Sequence, residues 1–327
     1  MKHMNIKAVL ATFIVILAGG LPSFAQSCQT RDEVAAPVKT AIENAAQQIF
    51  QQASQGDVNA LRSSAAPSFA DGFINLVNGN KPALTGATAQ LRTSFLLDTG
   101  PNPPQDGNYY CGVFGANGMS ANGAAFNIPG LPVGKYGVVI QDVTGSKGPY
   151  AVTAIFQDMN GWKVAGYNIR PEAINGHDGI WFLERARDYK TKGQNHNAWF
   201  YYYTSWDLLA PVRFMDTRLL TKITQESTNV QPKDVPAGGN PTTFSANGKT
   251  YQITDMSVFP NANNFDLQVK YSVPSTADFN ATQADARNLA TALVTQYPEL
   301  RDGFNKIWAH AVDPSGGDVV GLITLKQ

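Results

Sequence analysis

The chain has 327 residues, with 25 basic and 25 acidic side chains and no formal net charge. That balance argues against nucleic acid, which demands a basic face, so no nucleic-acid partner is expected. The length is a prior for about two domains.

The first element is a leader. Lys2 and Lys7 precede an apolar run from Ala8 to Gly20, Pro22 breaks it, and Ser23 and Ala25 supply small residues at a cleavage site. This pattern predicts a secretory signal peptide over residues 1–25, cleaved near Ala25, and an exported, periplasmic or extracellular protein. No later stretch is apolar enough to span a bilayer, so no transmembrane span is expected in the mature chain. Cys28 follows the cleavage point, but Ala25-Gln26-Ser27 lacks the leucine of a lipid-attachment box. Cys28 and Cys111 are the chain's two cysteines. An exported protein meets an oxidising compartment, so a Cys28–Cys111 disulfide is expected over two free thiols. Closing so long a loop stabilises by about 4 kcal/mol in the loop-entropy account.

From Pro37 the residues Val38, Ile42, Ala45 and Ile49 form one stripe at helical period. Gly56 ends that helix, and Asp57 is suited to cap a second one through Val58 and Leu61. Leu91, Phe95 and Leu96 suggest a third helix. After the prolines at 101, 103 and 104 the texture turns to strands: Tyr109 to Phe114, Lys135 to Val143, Tyr150 to Gln157 and Trp162 to Ile169. Asn160-Gly161 supplies the positive φ of a hairpin turn.

Helices followed by an antiparallel sheet make an α+β order. Residues 31–171 resemble the nuclear-transport-factor-2-like superfamily, a cone of curved sheet wrapped by N-terminal helices. The stretches that carry the likeness are GDVNALRSSAAPSF and the hairpin YAVTAIFQDMNGWKVAGYNIRP. The Gly-rich insert from Gly115 to Gly134 is longer than in that family. Members often hold a pocket between sheet and helices. The resemblance therefore implies a site near Tyr136, Asp142, Trp162 and Tyr167, where aromatics and one carboxylate could take a small apolar ligand.

The densest aromatic stretch follows. Ala186, Tyr189, Gly193, Ala198, Tyr202 and Ser205 are spaced as in one tetratricopeptide repeat, which implies a pair of antiparallel helices. Trp199, Tyr202 and Trp206 form a core-like stripe, and Phe200, Tyr201 and Tyr203 point away from it. A lone pair cannot bury every face, so these three are expected either to pack on the flanking domains or to stay exposed as a protein contact.

Residues 226–242 are polar and rich in Pro and Gly, which predicts a linker. Asn247-Gly248 is a second hairpin turn. Phe265, Leu267, Val269, Tyr271 and Val273 alternate with Asp266, Gln268, Lys270 and Ser272, the pattern of a strand with one wet face. A helix with Leu289, Leu293 and Tyr297 on one stripe and a last strand from Val319 complete a C-terminal α+β unit.

The expected organisation is thus a leader (1–25), a cone-like α+β domain (26–171), a helical hairpin (172–225), a linker (226–242), and a C-terminal domain (243–327) with an antiparallel sheet and one main helix. GLPVGKYG, from Gly130, fails as a phosphate loop: its glycine spacing is short and Tyr136 stands where Ser or Thr must be. No G-x-S-x-G elbow or H-E-x-x-H motif occurs, and His177, His196 and His310 lack partners at metal spacing. No catalytic residue, metal or cofactor is expected. With no acid–base or metal constellation in the sequence, the expectation is an exported non-enzymatic binding or scaffolding protein for an unidentified protein or small apolar ligand. An enzyme with its site inside the cone is the alternative. Carbohydrate binding is a third option, and it needs flat exposed rings flanked by polar side chains.

Overall fold

The computed structural model describes residues 28–113, 118–145, 147–261 and 264–325; the expected leader lies outside them. Strand β1 (Cys28–Thr30) precedes helix α1 (Ala36–Gln55), whose Ile42, Ala46, Ile49, Phe50 and Ala53 are buried along one face. Gly56 ends α1 at φ 71°, a left-handed turn that glycine adopts without a Cβ penalty. Asp57 caps α2 (Val58–Ser64), accepting from the Ala60 N–H at 3.0 Å. Helices α3 (Ala70–Gly79) and α4 (Lys81–Leu84) complete this layer.

Six strands follow in sequence: β2 (Thr88–Asp98), β3 (Asn108–Val113), β4 (Met119–Asn127), β5 (Lys135–Gly145), β6 (Gly148–Asp158) and β7 (Trp162–Pro171). The helix expected at Leu91, Phe95 and Leu96 is instead β2, paired with β1 on one side and β5 on the other. Ser94, Phe95, Leu96 and Leu97 are all buried, because β2 is covered on both faces. A doubly covered strand loses its alternation, and its apolar run then imitates a helical stripe.

The main sheet runs β1-β2-β5-β6-β7, antiparallel throughout. Asn160 at φ 58° turns β6 into β7. On one face Val139, Val152, Ala154, Phe156 and Tyr167 pack against the N-terminal helices. On the other, Phe95, Val138 and Ile140 pack against Tyr109 and Phe126 of the β3–β4 ribbon. The Cys28–Cys111 disulfide joins β1 to β3 and is buried in that second core.

The short strands β8 (Ala173–Ile174) and β9 (His177–Asp178) lead into α5 (Gly179–Thr191) and α6 (Asn195–Leu209). Gly193, at φ 73°, reverses the chain between the two helices. Ala186 and Ala198 are fully buried, and the Ser205 hydroxyl donates to the Gly179 carbonyl at 2.7 Å. Small side chains let the helices approach closely. Strand β10 (Met215–Asp216) then pairs with β4, and α7 (Arg218–Thr228) follows.

Residues 226–242 begin inside α7, and Val230 and Val235 are buried in the core shared with the hairpin and the C-terminal unit. This segment is packed, although its polar composition suggested a tether. Beyond it lie β11 (Thr242–Ala246), β12 (Lys249–Asn261), β13 (Asn264–Ser272), α8 (Phe279–Gln296), α9 (Leu300–Gly303), β14 (Lys306–Val312) and β15 (Asp318–Thr324). They form a sheet ordered β11 to β15 with α8 across it.

Two expectations for this unit need correction. The sheet is antiparallel except between β13 and β14, which run parallel because α8 carries the chain back over the sheet between them. Asp266, expected on the wet face, is fully buried, where its Oδ2 accepts from Trp308 Nε1 at 2.9 Å. The chain as a whole is α+β. Among the described residues, no helix is long and apolar enough to cross a membrane.

Candidate functional site

The four residues expected to line a pocket in the cone do not converge. Alternation along β5 puts Tyr136 and Asp142 on the face toward the β3–β4 ribbon, six residues apart, or about 20 Å along the strand. Trp162 and Tyr167 belong to the opposite, helix-covered face. Tyr136 is buried, and its hydroxyl donates to the Pro132 carbonyl at 3.0 Å. Asp142 accepts from Arg92 Nε at 2.6 Å, and the same guanidinium bonds Glu172. Burial opposes charge on Arg92, but these two carboxylates outweigh it and raise its pKa. Tyr167 is buried against Phe73, with ring centroids 5.0 Å apart, and its hydroxyl has no partner among the described residues. Burial alone pushes that phenol well above its ordinary value.

The aromatic stretch on α6 divides differently from its periodicity. Phe200 and Tyr201 are buried against the C-terminal unit and offer no exposed contact. Phe200 meets Phe304 edge-on, Tyr201 meets Phe265, and the Tyr201 hydroxyl donates to the Gly303 carbonyl at 2.8 Å. Tyr203 is 50% exposed. Tyr202 is fully buried, but Trp199 and Trp206, on the stripe expected to be core, are only partly covered.

These partly covered rings open onto a groove. A cavity of about 270 Å³ lies between α6 and α7, lined by Trp199, Tyr203, Trp206, Ile223 and Thr224. Trp206 and Thr224 also line a neighbouring cavity of about 600 Å³, whose far wall is Asn108, Tyr110, Phe126 and Asn127 of the ribbon. Tyr110 in turn lines a third space of about 620 Å³ beside Met119, Arg218, Thr221 and Lys222. Tyr110 is 52% exposed, and neither its hydroxyl nor that of Tyr203 has a hydrogen-bond partner among the described residues.

Local folding explains the geometry. Strand alternation buries Tyr109 and turns Tyr110 outward. Asn108 opposes Asn127 across the ribbon, and Asn127 Nδ2 donates to Asn108 Oδ1 at 2.8 Å. Asp216 brings β10 against β4 and accepts from Thr217 N at 2.8 Å and Thr221 Oγ1 at 2.9 Å, which sets the start of α7. Thr217 caps that helix, accepting from the Leu220 N–H. The groove therefore carries apolar ring faces, side-chain amides and hydroxyls, and the exposed cations Arg213, Arg218 and Lys222.

Other clusters of titratable groups serve the fold. Asp285 of α8 accepts from Tyr251 at 3.1 Å and Tyr271 at 3.0 Å; burial first and Asp285 second push the Tyr251 phenol up to about 12. His196, at the start of α6, is held between Asp234 and Glu299. His177 stacks on Trp181, and His310 bonds Gln268 and Asp318. Among the described residues, no group of His, Cys, Asp and Glu is placed to hold a metal ion.

Comparison with family models, with curated proteins and with solved structures finds no match to this chain. The site therefore stands on its own geometry. The sequence pattern missed Tyr110, Asn108, Asn127 and the cations of α7. The signal for Tyr110 was the Tyr109-Tyr110 pair on a strand, where one ring of two adjacent residues must face outward. Nothing in the sequence brought that strand to α6 and α7.

Proposed function

We infer that this is an exported, non-enzymatic binding protein whose ligand lies in the aromatic groove between the β3–β4 ribbon and helices α6 and α7. One observation carries the reading: Tyr110 and Tyr203, each about half exposed, stand with Trp206 along adjoining cavities of a few hundred Å³. Exposed rings beside neutral polar groups are a common form of recognition surface. Among the described residues, no nucleophile, base and orienting group come together in the groove, so we favour binding over catalysis. The buried Cys28–Cys111 bridge is compatible with an oxidising compartment. Export through a signal peptide ending near Ala25 belongs to the same proposal, and N-terminal sequencing of the mature protein should begin at Gln26.

The likeness to the nuclear-transport-factor-2-like superfamily is kept as a proposal, and so is the likeness of α5–α6 to one tetratricopeptide repeat. The first is supported by helices packed on one face of an antiparallel sheet, the second by small residues at the helix crossing. The pocket inside the cone is not favoured, since its four candidate residues lie on two faces.

Native mass spectrometry of the protein from its host's exported fraction tests the binding reading. A noncovalent adduct is expected on the wild type and absent from a Tyr110→Ala/Tyr203→Ala variant that still folds. An adduct that persists undiminished in the variant places the ligand elsewhere and overturns the reading.

A further inference from the structure

We propose that the groove takes an acidic saccharide, with pyranose faces stacked on Tyr110, Tyr203 and Trp206 and carboxylates held by Arg218 and Lys222. This rests on the reading of the groove as the binding site and adds the class of ligand.

The first argument is charge. Arg218 and Lys222 lie four residues apart on α7, so they share one face of that helix. Both are exposed, and neither forms an ion pair among the described residues. Lys222 acts on Glu226 only at a distance, and Glu226 is already held by Arg187 at 2.8 Å. A third cation, Arg213, makes one loose contact of 3.4 Å with Asp207, which Arg170 also holds. Among the described residues lining these cavities one is acidic, Asp216, which accepts from Thr217 and Thr221 and keeps its charge. Arg218, Lys222 and the loosely held Arg213 outnumber that one carboxylate, so the groove carries an excess of positive charge beside its rings, which favours an anionic ligand.

The second argument is the character of the other contacts. Flat rings offer apolar faces to the C–H faces of a sugar, while Asn108, Asn127, Thr224 and Gln225 offer donors and acceptors to its hydroxyls. An extended peptide could add only at the outer edge of β3, since β4 spends its ladder on β3 and β10, and the glutamate hexapeptide below tests that occupant. Lone phosphate or another small anion would not use three aromatic rings along adjoining cavities.

The experiment is a set of titrations of the full mature chain, followed by tryptophan fluorescence and calorimetry. The probes are a galacturonic acid hexamer, a neutral glucose hexamer and a glutamate hexapeptide. The uronate hexamer is expected to bind at least tenfold more tightly than either of the others, with affinity falling as salt is raised. Arg218→Gln/Lys222→Gln should weaken uronate binding about tenfold and leave binding of the neutral hexamer unchanged. Tyr110→Ala should weaken both saccharides. Equal affinity for the two saccharides, lost in Tyr110→Ala, would overturn the charge assignment and leave the groove standing. Glutamate peptide binding as tight as uronate, and indifferent to Tyr110→Ala, would overturn the saccharide assignment. Binding of no probe, or binding unaltered in every variant, would sink the saccharide inference; persistence of the native adduct in the tyrosine variant would sink the groove itself. Circular dichroism of each variant separates misfolding from lost contact, and Tyr203→Phe provides a conservative control for ring stacking.

Discussion

Raising the pH should loosen the joint between the helical hairpin and the C-terminal unit, and His196→Gln should remove most of that sensitivity. The His196 side chain is 9% exposed, with Nε2 3.0 Å from Asp234 and Nδ1 3.2 Å from Glu299. Tyr297 covers the ring, centroid to centroid at 4.1 Å. Burial by itself would lower the imidazole pKa, but bonds to Asp234 and Glu299 together outweigh it and hold the pKa above the ordinary value. A raised folded-state pKa stabilises the charged form. That stability is complete below the ordinary value of about 6.5 and is lost as pH rises through the raised one. Burial pushes Asp234 up, but His196 first, with smaller help from the Tyr297 hydroxyl and a backbone N–H, outweighs it and the pKa ends low. Its contribution is therefore present above the ordinary carboxylate value of about 3.9 and disappears in acid.

Removing one member of a buried ion pair costs about 3–5 kcal/mol. Here the side chains of Asp234 and Glu299 keep 26% and 21% exposure, so water can take over part of the lost interaction. A loss of about 2 kcal/mol is expected for His196→Gln near pH 6, shrinking as the wild type deprotonates. Urea unfolding at several pH values between about 5 and 9 measures this, across the range in which histidine titrates. The reasoning is refuted if wild type and variant lose stability in parallel over that range, or if the two are equally stable at the acid end.

Three further outcomes follow from the packing. Reducing the Cys28–Cys111 bond, which closes a separation of 83 residues, should cost up to about 4 kcal/mol. Reductant should lower the urea midpoint of the wild type and leave a Cys28→Ser/Cys111→Ser variant unmoved; a shift in the variant would refute the assignment. A Cβ at Gly321 would come within 2.4 Å of the Arg287 backbone N. Since that atom belongs to the α8 backbone, Gly321→Ala should lose about 3 kcal/mol by thermal melting, and an unchanged melt would mean the strand and helix are less close than described. Tyr167→Phe removes a buried hydroxyl that has no partner among the described residues and should leave stability unchanged or raise it by about 1 kcal/mol. A clear loss would show that the hydroxyl has a partner and reopen the space between the main sheet and the N-terminal helices.

Local signals told much of the fold. The stripe from Ile42 to Ile49, the Gly56 stop, the Asp57 cap and the two Asn-Gly turns all depend on neighbours within a few residues, and each appears where its chemistry demands. The failure at β2 has the opposite cause. A strand covered on both faces has no polar side to show, so Phe95 and Leu96 could not be told from a helical stripe. Residues 226–242 show a similar limit. Composition cannot tell that Val230 and Val235 will find a core, or that Asp234 will meet His196.

By itself the sequence determined the α+β class, most of the turns, the cysteine pair and the presence of an aromatic helix. Each of these follows from backbone preference, hydrophobic period or the redox chemistry of two thiols. Only the tertiary structure decided which rings would be surface. Tyr201 and Tyr203 are two residues apart on one helix, yet the C-terminal unit covers the first and leaves the second in the groove. Tyr110 joins that groove because β10 pairs with β4 and brings α7 beside the ribbon. Solvent exposure depends on which distant segments meet, and no local pattern encodes that.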